Sequence, residues 1–115
     1  MDDDTISLRL PKQGYGIITI RWFVEEYLYQ KRKTTGNKCA YISEIYNMCR
    51  TFYSKMGKKE PEYISVWRIV KSLKRSGNLG SQSPDDEPTG GSKIPKTYVY
   101  LTDKRYLELG GSLVE

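Results

Sequence analysis

Arg68, Lys71 and Arg75 follow one another at intervals of three and four residues within "SVWRIVKSLKRSGNL", residues 65–79, and no acidic residue occurs between Ser65 and Gln82. On a helix, turning about 100° per residue, these three cations and Ile64 fall on one side, opposite Val66, Ile69, Val70 and Leu73. Ser72 lies on one flank of the cationic row, and Trp67 and Lys74 lie on the other. The chemistry on offer is recognition of a polyanion. An Arg guanidinium pairs in bidentate fashion with O6 and N7 of guanine, a Lys ammonium takes guanine or a phosphate, and hydroxyls bind phosphate oxygens. Any surface helix shows charges opposite its apolar stripe, so the cations alone say little. The missing acids sharpen the pattern, because a solvated helix ordinarily mixes signs for i,i+4 pairing.

Further residues join this candidate set. Tyr63 stands at the entrance of the same helix and Ser65 in its first turn, where hydroxyls reach phosphate oxygens. Ser43 either caps the preceding helix or offers its hydroxyl, with neighbouring N–H groups, to a phosphate. Tyr41 either touches phosphate or packs in the core. Lys93 and Lys96, at the base of a later loop, are expected on the nucleic-acid backbone. Lys55, Lys58 and Lys59 are either edge contacts or solvated turn lysines, and Lys31, Arg32 and Lys33 complement a helix dipole. Trp67 either packs against the second helix or touches a thymine methyl or a sugar.

Catalysis is not expected. The chain has no histidine, and it shows no Gly-rich phosphate loop, metal-ligand spacing or nucleophile elbow. Glu25 and Glu26 are adjacent, so they point to different parts of a helix surface and do not form an acid–base pair. Cys39 and Cys49 are read as small buried hydrophobes with reduced thiols, since no CxxC or His accompanies them. No cofactor or metal is expected, nor a membrane partner, since no run approaches 18 apolar residues. A cytoplasmic, nucleoid-associated place is expected.

The elements that must position the cationic row can be read from periodicity. Residues 1–13 form an arm, with a short strand or extended segment at 5–10, "TISLRL", ending at Pro11. A first helix spans 17–33 with a broad aromatic stripe. Such a stripe suits both a core and a dimer interface: Ile20, Trp22, Phe23 and Tyr27 are the expected dimer contacts, with the strand at 5–10 and the last helix as further elements of the dimer. "CAY" is a short strand, and a second helix spans 44–56. A turn containing Pro61 leads to a third helix over 61–76, stopped by Gly77-Asn78. Residues 79–102 form a hairpin around a turn-rich, flexible loop at 81–94, with "KTYVYLT" as its most strand-like part. A short helix over 103–109, capped by Thr102 or Asp103, ends the fold.

Charge is distributed unevenly across these elements. Lys and Arg number 19 and Asp and Glu 14 among 115 residues, for a net charge of +5. Six of the acids sit in two places, Asp2, Asp3 and Asp4 at the N-terminus and Asp85, Asp86 and Glu87 in the loop. Setting them aside leaves 19 cations against 8 acids, an excess of 11. An excess of that size on a single domain favours a polyanionic partner.

Two helices joined by a turn and followed at once by a hairpin are the order of a winged helix-turn-helix. "SVWRIVKSLKRSGNL", then a hairpin ending "YVYLTD" and a short helix, resembles the third helix and wing of that family. The closest likeness is to small MarR/PadR-like transcription factors and their archaeal plasmid and viral relatives. Val66, Ile69-Val70 and Leu73 match its apolar positions, Gly77 its turn into the wing, and Tyr100-Leu101-Thr102 its "YxLT" strand end. The resemblance covers about residues 39–109. It implies an α+β fold, with a three-helix core, a hairpin wing and a short C-terminal helix. It also implies a homodimeric binder of double-stranded DNA, with the third helix in the major groove and the hairpin near the minor groove or backbone. The long acidic loop departs from the family, because its acids would repel phosphates.

Transcriptional regulation is therefore the expected role. A partition or chromatin-like protein that spreads on DNA uses the same fold. An assembly module built from it would leave an apolar patch exposed beside the third helix. RNA binding is a lesser alternative, because no aromatic platform is evident. No effector pocket is legible.

Overall fold

The computed structural model describes residues 7–10, 18–82 and 98–113. They form an α+β arrangement of four helices and one three-stranded antiparallel sheet. Helix α1 spans Ile20–Thr35. It starts later than its apolar run suggests, because Thr19 adopts an extended conformation (φ −126°, ψ 166°) and its side chain accepts a hydrogen bond from the Trp22 N–H at 3.1 Å. The β-branched Ile18-Thr19 pair thus leads into the helix instead of forming its first turn.

Eight consecutive residues of α1, Phe23 to Gln30, are buried. A helix enclosed around its full circumference lies at the centre of a fold, and the other elements pack around it. Phe23 (1% exposed) and Tyr27 (4% exposed) stack with ring centroids 5.8 Å apart. Phe52 tilts against Phe23 at 5.5 Å and against Trp22 at 5.6 Å. Phe52 belongs to α2, Ile42–Lys55. Phe23 and Tyr27, two of the expected dimer contacts, have their rings buried within their own chain. Ile20 and Trp22 are partly buried against the same core.

Strand β1, Ala40–Tyr41, runs directly into α2. The helix therefore begins ahead of the expected residue 44. Tyr41 holds the capping position without a side-chain cap bond, and Ser43 falls inside the first turn. Helix α3 spans Tyr63–Ser76 and starts after Pro61, with Glu62 as its cap. Its buried residues Val66, Val70 and Leu73 repeat at helical spacing and face α1 and α2.

Strands β2, Leu79–Gln82, and β3, Tyr98–Leu101, make the hairpin, and the strand order is β1-β3-β2. Val99 and Leu101 point to the core while Tyr98 and Tyr100 face outward, the alternation a one-sided sheet requires. Gly80 pairs with Tyr100, whose ring occupies the space above it: a Cβ at residue 80 would come within 2.7 Å of that ring. Helix α4, Asp103–Glu108, is capped by the Thr102 hydroxyl. The rest of the hairpin loop, including Lys93 and Lys96, lies outside the described residues, as do residues 1–6 and 11–17. Within the expected N-terminal strand, Ser7–Leu10 pairs with no strand among the described residues. Arg9 instead clips to α1, its backbone N–H donating to Glu26 Oε2 at 2.8 Å and its guanidinium binding both carboxylate oxygens.

Glu25, 7% exposed, ties three parts of the chain together. It accepts from Arg105 Nε at 3.0 Å and Nη2 at 2.9 Å, and from Asn78 Nδ2 at 2.8 Å. Truncating Arg105 would leave this carboxylate buried with only an amide donor. Arg105→Ala is predicted to lower stability by about 2 kcal/mol. Arg50→Ala, which breaks the exposed pair with Glu60, should change it by less than about 0.5 kcal/mol. Urea titrations of the two variants check this contrast.

Burial also determines thiol chemistry. Cys49 is enclosed, and loss of hydration pushes its thiol up to about 12. Cys39 is only half-buried. Titration of the native protein with a thiol reagent near pH 8 should modify Cys39 alone, and Cys49 should react only after denaturation. Rapid reaction of both thiols in the native state would contradict the packing.

Candidate nucleic-acid interface

The site is built from α3 outward. Val66, Val70 and Leu73 anchor its inner side, and Ile69 is partly buried. Arg68, Lys71, Lys74 and Arg75 are exposed on the outer side. The end of the helix is fastened to its surroundings from several directions. Gly77 takes φ +90°, the left-handed conformation that turns the chain into β2. Asn78 donates its backbone N–H to the Leu73 carbonyl and its side-chain amide to Glu25. Thr102 donates its N–H to the Asn78 carbonyl and its hydroxyl to the Gly77 carbonyl. The cationic row is thus presented by a helix held to α1 and β3.

Charge pairing separates the two sides of the molecule. Glu25 pairs with Arg105, Glu26 with Arg9, Glu44 with Lys31, Asp103 with Arg32, and Glu60 with Arg50. Among the described residues, no acid pairs with Arg68, Lys71, Lys74 or Arg75. Their positive potential is left uncompensated there. Lys31, read as a dipole partner, also donates to the Cys39 carbonyl, and Arg32 lies 4.0 Å from the Tyr106 ring centroid.

The other candidates are dispersed. Ser72 accepts a hydrogen bond from Arg21 Nη2 at 2.9 Å, and its own hydroxyl proton can still be donated outward. Ser65 is half-buried, and Tyr63 is exposed with its ring edge-on to Tyr46 at 5.2 Å. Ser43 is exposed in α2, and no described hydrogen bond links it to the α3 row. Tyr41 stacks on Tyr98 at 4.5 Å across the sheet, their hydroxyls 2.8 Å apart. Lys58 lies against the Tyr53 ring, while Lys55 and Lys59 are exposed. Trp67 makes no ring contact with α2 among the described residues. It stays exposed, and the Lys71 ammonium lies 4.6 Å from its ring centroid.

Sequence reasoning did not find Arg21. It reaches from the start of α1 to Ser72, 51 residues away, and sets a further guanidinium beside the α3 row. No local pattern announces such a contact. Elsewhere, a cleft of about 430 Å³ is lined by Arg9, Trp22, Glu25, Glu26, Arg105 and Leu109 among others. Its carboxylates are already engaged by guanidinium groups.

No protein-family model matches this sequence, and no curated protein is significantly similar to it. Among the described residues, no helix is long and apolar enough to cross a membrane.

Proposed function

We propose that this chain is a winged-helix protein that binds double-stranded DNA with sequence preference and acts in transcriptional regulation. The observation that carries the reading is the row of Arg68, Lys71 and Arg75, unopposed by acids among the described residues and displayed by a helix with a buried opposite side. A helix of 14 residues is about 21 Å long, and a single helix fits the major groove, about 12 Å wide. Arg68 takes a guanine edge, Lys71 guanine or phosphate, and Arg75 and Arg21 the flanking backbone. The β2–β3 hairpin follows α3 immediately, which suits it to the neighbouring minor groove or backbone.

The protein works as a homodimer, its two α3 helices entering successive major grooves about 34 Å apart. With Phe23 and Tyr27 enclosed, the exposed Leu10, Leu107 and Leu113 of the N-terminal arm and the C-terminal region supply apolar surface for that contact.

One observation favours a second reading, an assembly module of the same fold. Tyr63, Ile64 and Trp67 leave an exposed apolar patch on α3. Selection from a randomised duplex pool at near-physiological salt separates the readings. A bounded, enriched palindrome supports the dimeric regulator. Retention without enrichment supports a protein that spreads on DNA, and no retention supports the assembly module.

For the selected site, Arg68→Ala or Lys71→Ala should cost about 1–3 kcal/mol and reduce discrimination against random duplex. Arg75→Ala should weaken all duplexes alike and lower the salt slope by about 1. Lys104→Ala on α4, which is not one of the proposed contacts, should do neither. Equal losses for Arg68, Lys71 and Lys104 in binding assays would contradict these roles.

A further inference from the structure

The outer side of α3 is not purely cationic. Ile64 is 43% exposed and Trp67 36% exposed, and Tyr63 beside them is 44% exposed. Isolated surface hydrophobes are ordinary. Here they stand within the polar row itself. At about 100° per residue, Ile64 lies roughly 40° from Arg68 and roughly 20° from Lys71 around the helix, with Trp67 about 60° away. The Lys71 ammonium already sits against the Trp67 ring. Whatever covers Ile64 and Trp67 must therefore cover Arg68 and Lys71 in the same contact. A purely apolar protein surface would strip water from those cations and return nothing.

The floor of a major groove meets both demands. Its base edges carry acceptors for Arg and Lys, and its one apolar projection is the 5-methyl group of thymine. The phosphates alongside are the counter-charge. Resting on the DNA-binding reading above, we infer that the first two turns of α3 read thymine, through contact of Ile64 and Trp67 with its 5-methyl group, beside the guanine taken by Arg68. The order along the helix, apolar residues at 64 and 67 and cations at 68, 71 and 75, then places the thymine at the N-terminal end of the contacted step.

The test replaces each thymine of the selected duplex, one at a time, by deoxyuridine, which removes the methyl group and keeps every hydrogen-bonding group. Affinity is measured for the wild-type chain and for Ile64→Ala, Trp67→Ala and Arg68→Ala. One or two thymines per half-site should show a loss of about four-fold, the worth of one buried methyl. That loss should disappear in Ile64→Ala or Trp67→Ala and persist in Arg68→Ala. Both truncated side chains are exposed, and circular dichroism checks that the variants are folded. The deoxyuridine duplexes test the wild-type protein without altering it. If the wild type binds its site but no thymine is sensitive, or if sensitivity survives both apolar truncations, the thymine assignment falls and the DNA-binding reading stands. If the wild type retains no duplex, both fall, and the patch belongs to a protein partner.

Discussion

A buried carboxylate holds together the three parts of the chain that position α3 and the hairpin. Glu25 sits in the stretch of α1 from Phe23 to Gln30 that is buried on all sides, and it binds Arg105 of α4 and Asn78 just after α3 ends. An ionised carboxylate at that depth is tolerable only with its donors in place. Those donors in turn fix where the chain leaves α3 and enters the hairpin. Glu26 applies the same constraint one residue on, holding Arg9 of the N-terminal arm and the Gln30 amide.

This use of acids has an electrostatic consequence. Glu25, Glu26, Glu44 and Asp103 neutralise cations on the α1, α2 and α4 side. None of them is placed to neutralise α3. A protein with a modest net charge thereby carries a much stronger local one. That is the condition for attracting a polyanion to one helix and orienting it there, while the buried apolar side of α3 keeps the helix from turning. Under the proposed reading, stability and recognition use separate sets of charges.

The sequence discloses some of this and hides the rest, for physical reasons. Val66, Val70 and Leu73 are legible because burial of one helix face imposes a period near 3.6 that local sequence records. The cationic row is legible by the same geometry. Phe23 and Tyr27 show the limit of that reasoning: periodicity identifies an apolar side chain but not which surface covers it, and here α2 does. Glu25 and Glu26 read as surface charges because their guanidinium partners are 80 and 17 residues away. The start of α2 moved because β1 passes into the helix without a connecting turn, which made Ser43 an interior residue. Trp67 defeats the rule that large aromatics seek cover. It remains on the surface, against Lys71.

Under the proposed reading, a nucleic acid binds the outer side of α3. Titration of the isotopically labelled protein with a short duplex, followed by amide chemical-shift mapping, tests it most directly. The account predicts shift changes concentrated at Tyr63–Arg75 and at Arg21, weakening as salt is raised. Shift changes confined to α4 and the Arg9–Glu26 cleft, with α3 unaffected, would contradict it.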